Sequence, residues 1–239
     1  MTIPFQKGRY RVRFSRRDAD VLACQMLRHR CFHGGEGVDA DAFDARCDHL
    51  MVEDAAGALV ATARIAILPA GPAVMQGYVG QFYDLAPIVR HGGNVAEIGR
   101  FCIAPEACDG DVLRLGWGAL TRMVDENGVA TLVGCTSFAG TDPLPYAGAF
   151  ALLSARYLGA AEDRPGIKAA ETCRFAELPR ALPDPRPLPP LLRTYLAMGG
   201  WVGDHVVIDR AMNTLHVFTC VDVAAVPPAR AKALRAIAG

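Results

Sequence analysis

The sequence predicts an α+β fold: a central, mostly antiparallel and splayed sheet flanked by helices, with a C-terminal helix and two-strand extension. Three observations carry that expectation. Strand-like runs dominate the N-terminal part, the run Ala96–Ile103 alternates like a strand and breaks at Gly99, and a helix, a strand and a second helix follow it. Taken in order, Arg9 to Phe14 reads as a strand. Ser15 or Asp18 then caps a helix through Val21, Leu22, Met26, Leu27 and Phe32. A polar, glycine-bearing loop runs from Gly34 to Asp44. His49–Val52 and Leu59–Leu68 form an antiparallel hairpin across Asp54–Gly57, and Pro69–Pro72 makes the next turn. A short helix is expected around Phe82–Val89. The Glu97 strand leads through Pro105 and Asp109-Gly110 into a helix from about Val112 to Glu126, stopped by Asn127-Gly128. Thr131 to Cys135 is a buried strand and Asp142 to Tyr157 a helix. The proline-rich stretch Pro179–Pro190 should run extended along the surface. A helix at Leu191–Met198 and strands at Val202–Ile208 and Leu215–Val221 complete the chain. Residues 1–178 are thus expected to form a core, with 179–239 packed on it as part of one domain.

At 239 residues the chain can bury a substantial core without disulfides or metals. Its 25 acidic and 25 basic residues cancel, which argues against bulk nucleic-acid binding. The balance is not uniform. Lys7, Arg9, Arg11, Arg13, Arg16 and Arg17 precede any acid, and on a strand Arg9, Arg11 and Arg13 share one face. Such a stripe suits phosphates, an acidic partner or anionic lipid, and equally suits a solvated edge strand protected by charge. Cys24, Cys31, Cys47, Cys102, Cys108, Cys135, Cys173 and Cys220 show no CxxC pair, so they read as buried free thiols in a reducing cytoplasm. The histidines form no HxH spacing, and no metal site is expected. No apolar run approaches the roughly 18 residues needed to span a bilayer.

The chemistry-bearing stretch is Ala96-Glu97-Ile98-Gly99-Arg100-Phe101-Cys102-Ile103-Ala104-Pro105. A buried carboxylate on a strand entering the core is how proteins build a base that works near neutral pH, and Glu97 is the first candidate. A structural ion pair at a strand bend fits the same residues. Gly99 marks a bulge or a close approach of ligand to backbone. Acyltransferases that use coenzyme A hold its pyrophosphate with a Gln/Arg-x-x-Gly-x-Gly/Ala loop at a helix N-terminus. The corresponding run here is Leu113-Arg114-Leu115-Gly116-Trp117-Gly118, with Gly116 and Gly118 present and the lead residue absent. That points to an acyl group on a carrier protein. Close helix packing explains the two glycines as well.

Three runs resemble the ornithine Nα-acyltransferases that make lyso-ornithine lipid: Gly8–Phe14, Leu27–Phe32, and Asp39–Val52 with its Phe43-Asp44-x-x-Cys47-Asp48-His49-Leu50 core. Ala96–Arg100, Val133–Ser137 and the tail from Leu191 to Val223 are similar to later motifs of that family. The family's central helix is usually led by His-Pro and basic residues, whereas this chain has Ala104-Pro105-Glu106-Ala107. Arg28, Phe32, Asp41, Asp44, Arg64, Phe82, Glu97 and Arg100 also resemble the polar and aromatic positions of the acyl-homoserine-lactone synthases. Those enzymes carry a tryptophan in the loop after Phe32, where this chain has His33-Gly34-Gly35-Glu36-Gly37.

The resemblance implies a GNAT-like fold and transfer of a (3-hydroxy) fatty acyl group from acyl carrier protein to the α-amine of L-ornithine. The donor is an acyl-phosphopantetheine, with no other cofactor. Glu97 is then the base, and Arg28, Arg64 or Arg100 takes the substrate carboxylate. Asp41, Asp44 or Asp48 takes the side-chain ammonium, and backbone amides at Cys102, Ile103 and Ala104 hold the oxyanion. The pantetheine thiol leaves readily without a strong acid, and Tyr146 is the candidate acid only if one is needed. Trp117, Phe138 and Phe150 line an acyl channel or pack in the core. A lactone synthase is the alternative enzyme, and a carrier-protein or lipid-binding module the non-enzymatic one. The expected location is cytoplasmic, with a peripheral contact on the anionic inner membrane.

Overall fold

The computed structural model describes residues 4–107 and 109–238, so the Cys108 expectation lies outside the described residues. In chain order the elements are β1 (Phe5–Lys7), β2 (Tyr10–Ser15), α1 (Asp18–Phe32), β3 (Asp48–Glu53), β4 (Leu59–Leu68) and β5 (Tyr83–Asp84). Then come α2 (Ala86–His91), β6 (Asn94–Ile103), α3 (Gly110–Glu126), β7 (Val129–Ala139), α4 (Ala147–Arg156) and β8 (Gly166–Ile167). The last are β9 (Thr172–Arg174), α5 (Pro190–Ala197), β10 (Trp201–Asp209), β11 (Thr214–Asp222) and α6 (Pro228–Ala238). The α+β expectation holds. The chain divides into two compact units, cut within β6 between Glu97 and Ile98 and not at 178/179.

The first unit comprises the chain up to Ile67, Ile98–Val129 and Pro228 onward. Its strand order is β1-β2-β3-β4-β6, with β1/β2, β2/β3 and β3/β4 antiparallel. Period-two alternation on β2 buries Tyr10, Val12 and Phe14 and turns Arg11 outward. Arg13 stays half-buried because Asp20 (2.7 and 2.9 Å) and Glu53 (2.6 Å) hold its guanidinium. Arg9 lies before β2 and pairs with Asp109 at 3.2 Å, while Arg16 pairs with Asp48. The basic stripe is therefore largely neutralised. α1 begins at Asp18 with Arg17 at the N-cap, and neither Ser15 nor Asp18 caps it. Instead Ser15 donates to Asp20 at 2.6 Å. α6, which the sequence reading did not anticipate, ties Arg235 to Asp125 of α3 at 2.8 Å, and Lys7 donates to the carbonyls of Ala236 and Ile237 near its C-terminus.

The second unit spans Leu68–Glu97 and Ala130–Pro227, with strand order β6-β7-β11-β10-β9. β11 pairs with β7 from Thr214↔Ala139 to Asp222↔Thr131, so the supposed C-terminal extension supplies interior strands. This full-length pairing also extends β7 well beyond the expected Thr131–Cys135. Phe138, Phe150, Leu153, Leu192, Val202 and Leu215 pack in one cluster with α4 and α5. Val79, Tyr83, Leu85, Ile88, Val133 and Phe218 form the second. The proline-rich segment carries no helix or strand up to α5, and it is anchored by Leu188, 5% exposed in the first cluster, while Leu182 is exposed.

Among the described cysteines, Cys24, Cys47, Cys102 and Cys220 are buried free thiols, but Cys31, Cys135 and Cys173 are half-buried. Among the described residues no helix is long and apolar enough to cross a membrane.

Candidate active site

The strand β6 carries both residues singled out from the sequence. Glu97 is only 6% exposed. Within the second unit its two carboxylate oxygens each accept a backbone amide, from Tyr78 at 2.7 Å and Val79 at 2.8 Å. An ionised carboxylate has about four acceptor sites, and these amides use two of them. Gly77 makes the cradle possible, since a Cβ there would stand 2.4 Å from Glu97 Oε2. The 3₁₀ turn Val79–Gln81 is braced by Lys168, whose ammonium donates to Gly80 O at 2.5 Å. Phe82 follows directly, its half-buried ring 5.3 Å from Tyr78 and edge-on to His216 at 4.9 Å.

Arg100 belongs to the first unit and sits at φ 53°, in the left-handed region. Such a backbone costs a non-glycine residue about 1–2 kcal/mol, so something must hold it. Asp39 and Asp41 do, at 3.0 and 3.5 Å from the guanidinium. The break expected at Gly99 thus falls on Arg100, while a Cβ placed on Gly99 would meet open space.

Arg28 and Arg64 complete this network. Arg28, 1% exposed, grips Asp44 bidentately at 2.8 and 2.9 Å and also donates to the Asp39 carbonyl. Arg64 reaches Asp41 at 2.5 Å and Asp44 at 3.0 Å. Burial alone would raise the Asp44 carboxyl; hydrogen bonds from Arg28, Gln25 and Arg64 outweigh it and hold the group well below the usual range. Three guanidinium groups and three carboxylates balance in charge. Exposure divides them into a buried frame, Arg28, Arg64, Asp39 and Asp44, and a more open pair, Asp41 at 25% and Arg100 at 13%.

Several sequence candidates lie elsewhere. Asp48 is in an outward ion pair with Arg16 at 2.7 Å, not with the other aspartates. Phe32 ends α1 at 40% exposure. Gly116 and Gly118 are buried inside α3, several residues past its start, so they do not form an anion-binding N-terminus. Packing accounts for Gly116, where a Cβ would lie 3.1 Å from the Phe101 ring. The true N-terminus of α3 bears Asp109 as N-cap and Asp111, both acidic. Of the proposed oxyanion donors, the Ala104 amide is taken by Val60 O at 2.8 Å, Ile103 O accepts from Cys31, and Cys102 is 7% exposed. Tyr146 donates to Ala139 O at 2.8 Å, and Trp117, Phe138 and Phe150 are core residues. Sequence reasoning missed Asp39, which joins Arg28 to Arg100, and the Gly77-Tyr78-Val79 cradle. Asp39 stood in the motif run; the cradle is backbone, with no side-chain signal beyond its glycine.

The α+β strand order and the buried carboxylate of Glu97 on β6 are what an acyltransferase of the GNAT class requires. Residues 25–118 match the family described as Acetyltransferase (GNAT) domain. Two solved structures align over most of this chain and show the fold: FeeM, an N-acyl amino acid synthase from uncultured soil microbes, and TofI in an apo form. FeeM has TM-score 0.51, 11% identity and coverage of 92% of both chains. TofI has TM-score 0.50, 15% identity and coverage of 91% and 98%. The L-ornithine N(alpha)-acyltransferase of Rhodobacter capsulatus is 30% identical over 90% of this chain and 91% of the relative. That of Brucella abortus is 28% identical over 90% and 85%. The chain belongs to the L-ornithine Nα-acyltransferase family.

Proposed function

We propose that this chain transfers a 3-hydroxy fatty acyl group from acyl carrier protein to the α-amine of L-ornithine. The observation that carries the reading is the 30% identity to the Rhodobacter capsulatus enzyme over 90% of this chain. The amine arrives as an ammonium and must lose a proton, which Glu97 accepts. The freed amine lone pair then attacks the thioester carbonyl, the C–S bond breaks, and the second proton lost by the nitrogen ends on the departing pantetheine thiolate, leaving a neutral amide. Arg100 and Asp41, the open members of the network, take the substrate carboxylate and an ammonium, while Arg28, Arg64, Asp39 and Asp44 fix them in place. Acid at the α3 N-terminus, Asp109 and Asp111, opposes the additional phosphates of coenzyme A and favours the carrier-bound donor. The test is mass spectrometry of the products made from ornithine and 3-hydroxyacyl carrier protein. N-acylornithine is expected; thiol release indifferent to ornithine would sink the proposal, and equal turnover with the matching acyl-coenzyme A would sink the donor assignment.

The product is an amphiphile, and each buried methylene is worth roughly 0.8 kcal/mol, so direct delivery to an anionic leaflet is the cheaper route. Arg11 and Arg17 are the exposed cations suited to a peripheral contact, since Arg13 is held by Asp20 and Glu53. Sedimentation with phosphatidylglycerol vesicles should weaken up to about thirtyfold in the Arg11→Ser/Arg17→Ser variant, at up to about 1 kcal/mol per cation. Unchanged sedimentation would remove these cations from the contact.

A further inference from the structure

Two thiols meet outside the catalytic machinery of the first unit. Cys31, near the end of α1, is half-buried, and its Sγ donates to the carbonyl of Ile103 at 3.5 Å. Cys102, on β6, is 7% exposed, and both pack in a small apolar cluster with Leu27, Leu59, Ala104 and Ala107. Cys31 Sγ thus lies against the backbone of the residue next to Cys102, inside the same apolar cluster. A disulfide of about 2.05 Å between them would tie α1 to β6.

We propose that Cys31 and Cys102 are a peroxide-reactive pair, in which a hydroperoxide oxidises Cys31 and Cys102 resolves it as an intramolecular disulfide. The chemistry balances. The Cys31 thiolate attacks the peroxide O–O bond, giving a sulfenic acid and releasing hydroxide, or an alkoxide from an alkyl hydroperoxide. The Cys102 sulfur then displaces water from the sulfenic acid, so two thiols are oxidised and one peroxide is reduced.

Environment assigns the roles. The Cys102 thiol donates to Cys31 and pulls its pKa down to about 7 against the opposing effect of burial, with Arg30 assisting and Glu106 opposing. Cys102 is pushed up by that same donation and by burial, so it stays protonated as the resolving partner. Burial likewise raises the thiols of Cys24, Cys173 and Cys220, which leaves Cys31 the most nucleophilic of these. The bond would join α1, three residues after Arg28, to β6, two residues after Arg100.

The test treats the intact protein with equimolar hydrogen peroxide, alkylates the remaining thiols and maps the peptides. A Cys31–Cys102 cross-linked peptide, lighter by about 2 Da and reversed by dithiothreitol, should appear in most molecules. In Cys102→Ala the Cys31 sulfenic acid persists and should be captured by dimedone. Both thiols fully alkylated in the wild type, or a cross-link joining Cys24 instead, would overturn the proposal. Because the readout is a covalent bond, its failure is distinct from failure of ornithine acylation.

Discussion

Glu97 and Asp44 are both buried carboxylates, and their partners separate their jobs. Asp44 is gripped by Arg28, Arg64 and Gln25, the environment of a structural anchor. Glu97 receives two backbone amides, which orient its oxygens and hold the Gly77-Tyr78-Val79 turn to β6. A Gln at 97 turns one acceptor into an NH₂ facing an amide donor, so Glu97→Gln should lose about 1–3 kcal/mol of stability as well as activity. A base supplies about 10²–10⁴-fold, so kcat should fall by at least a hundredfold when assayed well below the lowered midpoint. If the midpoint drops and kcat does not, the carboxylate only anchors the turn. Gly77→Ala tests the same site without touching a charge, because its Cβ would collide with Glu97 Oε2 and with Leu68 Cδ1 at 2.9 Å. A large loss of kcat with the Glu97 side chain intact is the expected outcome, and wild-type kinetics would show that the cradle tolerates displacement.

At the scale of the element, β6 shows what the sequence could and could not tell. Its strand alternation, its polar pair and its break were legible, because period-two burial and the expense of burying charge act within a few residues. The position of the break was not. Glycine is the usual residue for a positive φ, yet Arg100 adopts it, held by Asp39 and Asp41 from a loop some sixty residues earlier in the chain. β2 makes the same point. Alternation put Arg11 and Arg13 on one face, but only the fold reveals that Asp20 and Glu53 consume Arg13 and that Arg9 precedes the strand. Gly116 and Gly118 matched a phosphate-binding spacing, and the register of α3 places them in a packed helix interior. Motif spacing measures distance along the chain; an anion site needs free amides at a helix start. β8 and β9 are too short to leave a pattern, and α6 begins on the second residue of a Pro-Pro pair with no apolar stripe wide enough to announce it.

At the scale of the whole molecule, each unit buries a histidine whose neutral form the fold requires. His49 in the first unit is fully buried, and burial lowers its pKa. His216 in the second is 2% exposed and is lowered to about 4, chiefly by burial, with Asp209 opposing and His205 adding to the shift. An unfolded histidine titrates near 6.5. Between about 6.5 and 4 the unfolded chain therefore binds a proton that native His216 refuses, so stability is complete above 6.5 and drains away as pH falls through that window. The displacement corresponds to about 3 kcal/mol for His216. Depressed carboxylates act lower down: Asp44 and Asp20 contribute stability above the unfolded value near 3.9, lost only as pH drops further. Acid unfolding should accordingly have two stages, and urea titrations across pH 7 to 3 can separate them. His216→Phe keeps an aromatic ring, and Tyr83 retains the backbone carbonyl of residue 216 as acceptor. The variant should reduce the loss between 6.5 and 4 to the share of His49 and leave the steeper loss below 4 in place; a wild-type slope in the upper window would show that His216 is not its source.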